Sequence, residues 1–252
     1  MATKKIKKNG TSVVSGNLKR YVQWLSEPGK TCPAVVTPQL FTDSPQWRVF
    51  RIMAEFIEGF EFLSKLKQEV SIFGSARVQE TDEHYQEAKK LGYLLGTRGY
   101  AVLTGGGPGI MEAANRGAYE ARGESIGLNI QLAHEQRTNP YVTKSIAFHY
   151  FFTRKVMLSA SAQAYVYFPG GFGTMDEMTE MVTLVQTGKI PKEVPIILVG
   201  KDFWEPFVDW ANRAMVVEHA FVTSEEMGIL HVVDTAEEAM KIIQTTHERL
   251  FG

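Results

Sequence analysis

A doubly wound α/β fold on a parallel sheet is what this sequence predicts, and three observations predict it. From residue 69 onward, short β-prone apolar runs alternate with stretches whose apolar residues recur at helical spacing. Residues 194–199 are a nearly continuous apolar run, as expected of a strand covered on both faces. Three of the runs end in glycine-bearing turns that open helices, and open parallel sheets bind ligands at such strand exits.

The elements follow in order. Lys4, Lys5, Lys7 and Lys8 lie in a polar start without apolar periodicity, so residues 1–45 read as a tail, in part disordered. Residues 46–252 read as a single Rossmann-like domain that includes an N-terminal helix at 46–66. In that helix Trp47, Phe50, Met53, Ala54, Ile57, Phe60 and Leu63 recur at helical spacing. The stripe is expected to pack on the outside of the main domain or against a second subunit. Strands are predicted at 69–73, 100–103, 125–128, 164–168, 194–199 and 230–233. Helices are predicted at 82–97, 108–122, 149–161, 174–186, 204–217 and 235–250. Such alternation implies right-handed crossovers.

Bulk properties exclude several classes. At 252 residues and 44% apolar content the chain can bury a full core. A net charge of −1 exerts no global pull toward nucleic acid or anionic lipid. The lone cysteine, Cys32, leaves no disulfide framework or multi-cysteine metal site. No apolar run is long enough to span a bilayer, and no signal-peptide core follows the first lysines, so a cytoplasmic protein without a membrane partner is expected.

The most informative stretch is Pro169-Gly-Gly-Phe-Gly-Thr-Met-Asp-Glu177, which leaves one strand and opens the next helix. Glycines let the backbone approach a ligand, and a helix N-terminus favours a phosphate. Glu177 lies about one helical turn further, within reach of a nucleotide's sugar. The same Thr174-x-x-Glu177 spacing is also a capping box, which needs no ligand. Two further junctions, Gly74-Ser-Ala-Arg77 and Thr104-Gly-Gly-Gly-Pro-Gly109, are expected on the same side of the sheet. In the second, Ile110 stands where the last glycine of a dinucleotide fingerprint would fall, which favours a mononucleotide. Arg154 and Lys155 lie in the helix entering the strand before Pro169, and Asn129 and Glu135 follow another strand exit.

Together, Gly105-Gly-Gly-Pro-Gly109-Ile-Met-Glu-Ala-Ala, Arg154-Lys155 and Pro169-Gly-Gly-Phe-Gly-Thr-Met-Asp-Glu177-Met-Thr-Glu180 resemble the LONELY GUY (LOG) family, longer bacterial type, over about residues 68–250. The resemblance implies hydrolysis of nucleoside 5′-monophosphates, including cytokinin riboside 5′-monophosphates and AMP, to free base and ribose 5-phosphate. It implies Arg154 and Glu177 as the catalytic pair, with Lys155, Glu135 and Thr183 at substrate-contact positions. Gly170, Gly171, Gly173 and Thr174, with Ser75, would hold the phosphate. Gly106, Gly107, Asn129 and Glu180 complete the expected substrate-binding set. The chain departs from the short plant pattern in Asp176 and in Phe151-Phe-Thr before Arg154; the latter side chains are expected near the base pocket, which leaves the base preference open. A homodimer or larger homo-oligomer is implied as well.

N-glycoside cleavage builds positive charge on the ribose, so a carboxylate is needed on the sugar side, and Glu177 is assigned to it. Arg154 is assigned to the departing base. No cofactor is expected. The family has also carried a lysine decarboxylase label, but no Schiff-base lysine with a partner for a pyridoxal ring nitrogen is identifiable. Metal dependence is not expected either, because the six histidines form no ligand cluster. Two other readings use the same glycine junctions: a non-catalytic module similar to molybdenum cofactor carriers, and a single-strand DNA-binding protein. The second would need a basic stripe that the balanced charge does not supply.

Overall fold

Period-two alternation along each strand builds two cores, one on either face of a seven-stranded sheet, and the computed structural model describes them over residues 45–131 and 138–249. In β1 (Glu69–Phe73), Val70 and Ile72 face one core and Phe73 the other. In β5 (Ala164–Tyr167), Ala164 and Val166 face the first core, and Tyr165 and Tyr167 the second. Such strands are buried on both sides, which explains their unbroken apolar character.

The remaining strands are β2 (Ala101–Thr104), β3 (Ser125–Ile130), β4 (Lys144–Phe148), β6 (Ile196–Val199) and β7 (Leu230–Val233). All neighbours pair in parallel, in the order β4-β3-β2-β1-β5-β6-β7. The chain therefore builds outward from β1 in one direction, then returns to lay β5 on its other side. The doubly wound reading holds, and the switch point lies between β1 and β5.

Helices cover both faces. In chain order they are α1 (Pro45–Leu63), α2 (Glu83–Thr97), α3 (Ile110–Glu120), α4 (Phe151–Ala160), α5 (Phe172–Gln186), α6 (Lys201–Ala211), α7 (Ser224–Met227) and α8 (Ala236–Ile243), with a π-helical turn at Asn212–Glu218 after α6. Tyr85, Leu91 and Leu95 of α2, Ile110 and Ala118 of α3, and Ala239 and Ile243 of α8 fill one core. Leu63 of α1, Met157 and Leu158 of α4, Met178, Met181 and Val185 of α5, and Trp204 of α6 fill the other.

Three differences from the sequence expectation have clear causes. Strand β4 is absent from the predicted list because it is an edge strand whose Lys144, Ser145 and Ala147 are exposed, so it carries no apolar run. Helix α1 buries Gly59 and Leu63, and packs Phe56 and Phe62 against the core. Met53 and Ile57 of the predicted stripe are instead 51% and 64% exposed, so the apolar set spans two faces. The helix expected at 235–250 ends at Ile243, beyond which Thr245 and Thr246 turn their hydroxyls back to Ile242 O and Ile243 O. Arg51–Gly252 forms one compact unit, and of Met1–Phe50 only Pro45–Phe50, the opening of α1, is described. The tail expected up to residue 44 lies outside the described residues. Among those residues no helix is long and apolar enough to cross a membrane.

Glu69 opens β1 at 2% exposure, far from the glycine turns. Burial, chiefly, pushes its carboxyl up to about 7 from 4.5, with Glu248 adding and Arg249 opposing. The folded value exceeds the unfolded one, so the folded state holds this proton more tightly and its stabilising effect is lost as pH rises from about 4.5 to about 7. Glu69→Gln is therefore expected to raise the melting temperature at pH ~8, on the order of 2–3 kcal/mol of stability, and to change it little at pH ~5. Melts at the two pH values check this; equal effects at both would contradict the assignment.

Candidate active site

The three glycine-bearing junctions follow β1, β2 and β5, which are adjacent in the sheet, so their turns meet at one edge. Backbone hydrogen bonds tie them together. Ser75 N donates to Pro169 O at 3.0 Å, and Ile110 N donates to Ser75 O at 3.1 Å. The approach is close enough to require glycine at Gly109, whose φ is +70° and where a Cβ would lie 2.3 Å from Ser75 O.

These turns enclose a cavity of about 530 Å³ at the switch point. Arg154 and Lys155 from α4, and Gly171, Gly173, Thr174, Asp176 and Glu177 from α5, form one wall. Ser75, Ala76 and Arg77 form another, with Gly105 and Met111 beside them. Phe151 and Phe172, 59% and 95% exposed, stand at its rim as apolar surfaces.

Helix α5 begins at Phe172, with Gly171 as N-cap and no side chain capping that end. Thr174 is thus the third helical residue and Glu177 the sixth, so the capping-box alternative does not describe this helix. Its first-turn amides are left for another partner. The same sequence signature does form a capping box at α7, where Glu226 N donates to Thr223 Oγ1 at 3.2 Å and Thr223 N donates to Glu226 Oε2 at 2.7 Å. Thr174 serves the turn instead: a Cβ on Gly170 would lie 2.1 Å from its Oγ1. At Gly171 and Gly173 a Cβ would meet no protein atom within 4 Å, so packing of the chain does not demand glycine at either.

Two cations face three carboxylates across the cavity wall. Arg154 Nε donates to Leu128 O at 2.7 Å, and its guanidinium lies so close over Gly105 that a Cβ there would approach Nη2 to 2.2 Å. Burial lowers the Arg154 pKa, opposed by the Glu177 charge, yet arginine keeps its proton at any working pH. Lys155 Nζ pairs with Asp176 at 2.7 Å and Glu180 at 3.1 Å. Burial alone would lower Lys155, but these two carboxylates outweigh it and raise its pKa. Glu177 is the unconsumed group: among the described residues no hydrogen bond or ion pair engages its carboxylate. Burial raises it to about 7, Lys155 and Arg154 opposing and Glu180 and Asp176 adding. A carboxyl group poised near neutrality beside a fixed guanidinium suits proton transfer and charge stabilisation.

The other expected residues are placed as follows. Glu180 and Thr183 line an adjoining groove with Lys155 and Asp176. Gly106 and Gly107 belong to the loop framework, their carbonyls accepting from Asn139 N and Asn139 Nδ2 at 2.9 and 3.0 Å. Asn139 continues into a buried network through Asn115 to Thr104 and Ser125. Asn129 packs its Oδ1 against Gly106 and donates from Nδ2 to Thr138 Oγ1. Glu135 lies outside the described residues. Sequence reasoning did not single out Gly105, Arg77, Met111 or Phe172 as site residues, whereas Phe151, expected near the base pocket, does line the cavity. Arg77 and Gly105 lay within the recognised turns, but only coordinates distinguish a lining residue from its neighbours.

The family model described as "Possible lysine decarboxylase" matches residues 111–243, more than half of the chain. The chain is 29% identical over 168 residues to a cytokinin riboside 5′-monophosphate phosphoribohydrolase, LOG, of Oryza sativa subsp. japonica, covering 66% of this chain and 67% of that one. It is 26% identical over 193 residues to LOG3 of Arabidopsis thaliana, which carries the same activity in its name, covering 74% and 87%. Among solved structures, a molybdenum cofactor carrier protein from Chlamydomonas reinhardtii superposes with a TM-score of 0.53 at 23% identity, covering 71% of this chain and 96% of that one. A molybdenum cofactor binding protein from Rippkaea orientalis gives 0.52 at 21%, covering 70% and 94%. At those identities the structures establish a shared fold. The family match, with relatives that carry the LOG name, establishes the rest: this chain belongs to the LOG family.

Proposed function

We propose that this protein hydrolyses the N-glycosidic bond of nucleoside 5′-monophosphates, AMP or a cytokinin riboside 5′-monophosphate, giving free base and ribose 5-phosphate. The observation that carries the reading is Glu177, a carboxyl near neutrality that neither capping nor an ion pair consumes, beside Arg154 in a nucleotide-sized cavity. The names of the relatives supply the substrate class.

The 5′-phosphate sits against the uncapped N-terminus of α5, at Gly171, Gly173 and Thr174, with Ser75 and the cationic Arg77 opposite. Glycine at positions 171 and 173, which the chain's own packing does not require, gives the phosphate room. This anchoring uses remote binding energy to align the ribose. Glu177, one turn along the helix, faces the sugar.

As the bond from C1′ to the base nitrogen breaks, its electron pair leaves with the base and positive charge develops on the ribose. The ionised Glu177 stabilises that charge and takes a proton from the attacking water, whose oxygen bonds to C1′. The base takes up a proton from solvent, which balances the one that Glu177 accepts from water. Arg154, fixed by Leu128 O, offers the departing base a positive charge without donating a proton. Lys155 orders the acidic face of α5 through Asp176 and Glu180. A cofactor carrier would use the same turns but has no need of an unpaired acid near neutrality.

Incubation with AMP is expected to release adenine and ribose 5-phosphate, resolved by chromatography. Glu177→Gln is expected to fold normally and lose about 10²–10⁴ in turnover, and Arg154→Ala about 10²–10³. Tight AMP binding by the wild type with no adenine released would overturn the hydrolase reading in favour of a carrier. Gly105→Ala probes the geometry, because its Cβ and Nη2 of Arg154 cannot share one position; turnover is expected to fall by about tenfold or more with KM little changed. Wild-type turnover in Gly105→Ala would show that the resting place of the guanidinium is not the working one.

A further inference from the structure

Helix α4 bears both cations of the site, yet its own N-cap residue, Tyr150, supplies no side-chain cap. The cap comes from a residue almost a hundred positions earlier. Glu55 on α1 accepts from His149 N at 2.8 Å, from Tyr150 N at 3.3 Å and from Thr153 Oγ1 at 2.6 Å. Its carboxylate thereby engages amides at the positive end of α4, where a negative charge is favoured. Thr153 Oγ1 also lies 2.8 Å from Tyr150 O, so its single proton bridges the cap and the helix's first carbonyl.

Arg154 is the next residue, and its N–H donates to that same Tyr150 carbonyl at 3.3 Å. The arginine is thus fixed at two ends, its guanidinium by Leu128 O and its backbone by the turn that Glu55 caps. Helix α1 is pressed against α4 to make this reach possible. Gly59, one turn after Glu55 on the same face, leaves no space for a side chain: a Cβ would lie 2.5 Å from Met157 Sδ and 3.2 Å from Phe148 Cε1. Leu63, another turn on, is fully buried.

We propose that Glu55 is a positioning residue of the reaction: it caps α4 from α1 and so fixes the reach of Arg154 into the cavity, making α1 a working part of the site. Glu55 lies before residue 111, where the family match begins, so the matched segment does not contain this contact. The proposal rests on the phosphoribohydrolase reading for its kinetic consequence but not for its structural one.

The test compares Glu55→Ala with Glu55→Gln in the full chain. The two amides use different oxygens, Oε1 for His149 N and Oε2 for Tyr150 N, so glutamine keeps one acceptor of the two and alanine neither. With AMP as substrate, Glu55→Ala is expected to lose on the order of tenfold to a hundredfold in kcat with KM changed by less than about threefold, and Glu55→Gln to recover part of the loss. The Arg154 Nε–H signal in ¹⁵N NMR is expected to shift in Glu55→Ala and to shift less in Glu55→Gln. Unchanged kcat and an unmoved Arg154 signal in a folded Glu55→Ala overturn the proposal, as does a fall in KM affinity alone. Should the alanine variant not fold, Thr153→Val removes the 2.6 Å contact at constant shape and is expected to move the same signal and lower kcat; no change in either overturns the proposal. A wild type that releases no base from AMP sinks the functional reading, while the Arg154 signal still decides the role of Glu55.

Discussion

A carboxylate and a guanidinium, both half-buried and facing one cavity at the point where the sheet reverses its winding, are the constraint on which the rest of the site depends. Burial disfavours the charge on each, and each opposes the other's loss of it. Their supports come from separate parts of the chain. Arg154 stands on α4 and is pinned by the carbonyl of Leu128 in β3, whereas Glu177 stands on α5, whose backbone at Glu177 accepts from Tyr167 Oη at 3.2 Å. Tyr167 in turn stacks on Phe73 at the end of β1, with ring centroids 4.9 Å apart. The pair therefore depends on five elements at once: α4, β3, α5, β5 and β1.

The glycines around it play two different roles. Gly109 is required by the protein itself, because backbone occupies the space a side chain would take, and at Gly105 the guanidinium of Arg154 lies where a Cβ would stand. Gly171 and Gly173 face open space, where the chain's own packing sets no requirement for glycine. The turn that opens α5 is thus the part of the molecule whose composition the fold alone does not explain, which is why it carries so much of the functional argument.

Most of the fold was legible in the sequence because strands buried on both faces announce themselves as apolar runs. Strand β4 was not, since one exposed edge needs only half the signal. The junctions were legible as glycine turns, and the parallel order brought them together as expected. The identity of the residues lining the cavity was less so. Thr174-x-x-Glu177 and Thr223-x-x-Glu226 are equivalent as patterns, yet only the second caps a helix, because extended backbone at Gly171 starts α5 two residues before the predicted position. A two-residue difference in helix start is below what side-chain pattern can resolve, and here it decides whether a glutamate is structural or free. The contact from Glu55 to α4 has no signature at all, because it joins segments far apart in sequence.

The most direct measurement of the central claim is the titration of the Glu177 side-chain carboxyl by ¹³C NMR in the ligand-free protein. The midpoint is expected near 7, moving higher in Arg154→Ala because the opposing positive charge is gone. A midpoint at the ordinary glutamate value of 4.5, insensitive to Arg154, would mean that the carboxyl is solvated and uncoupled, and would contradict the account.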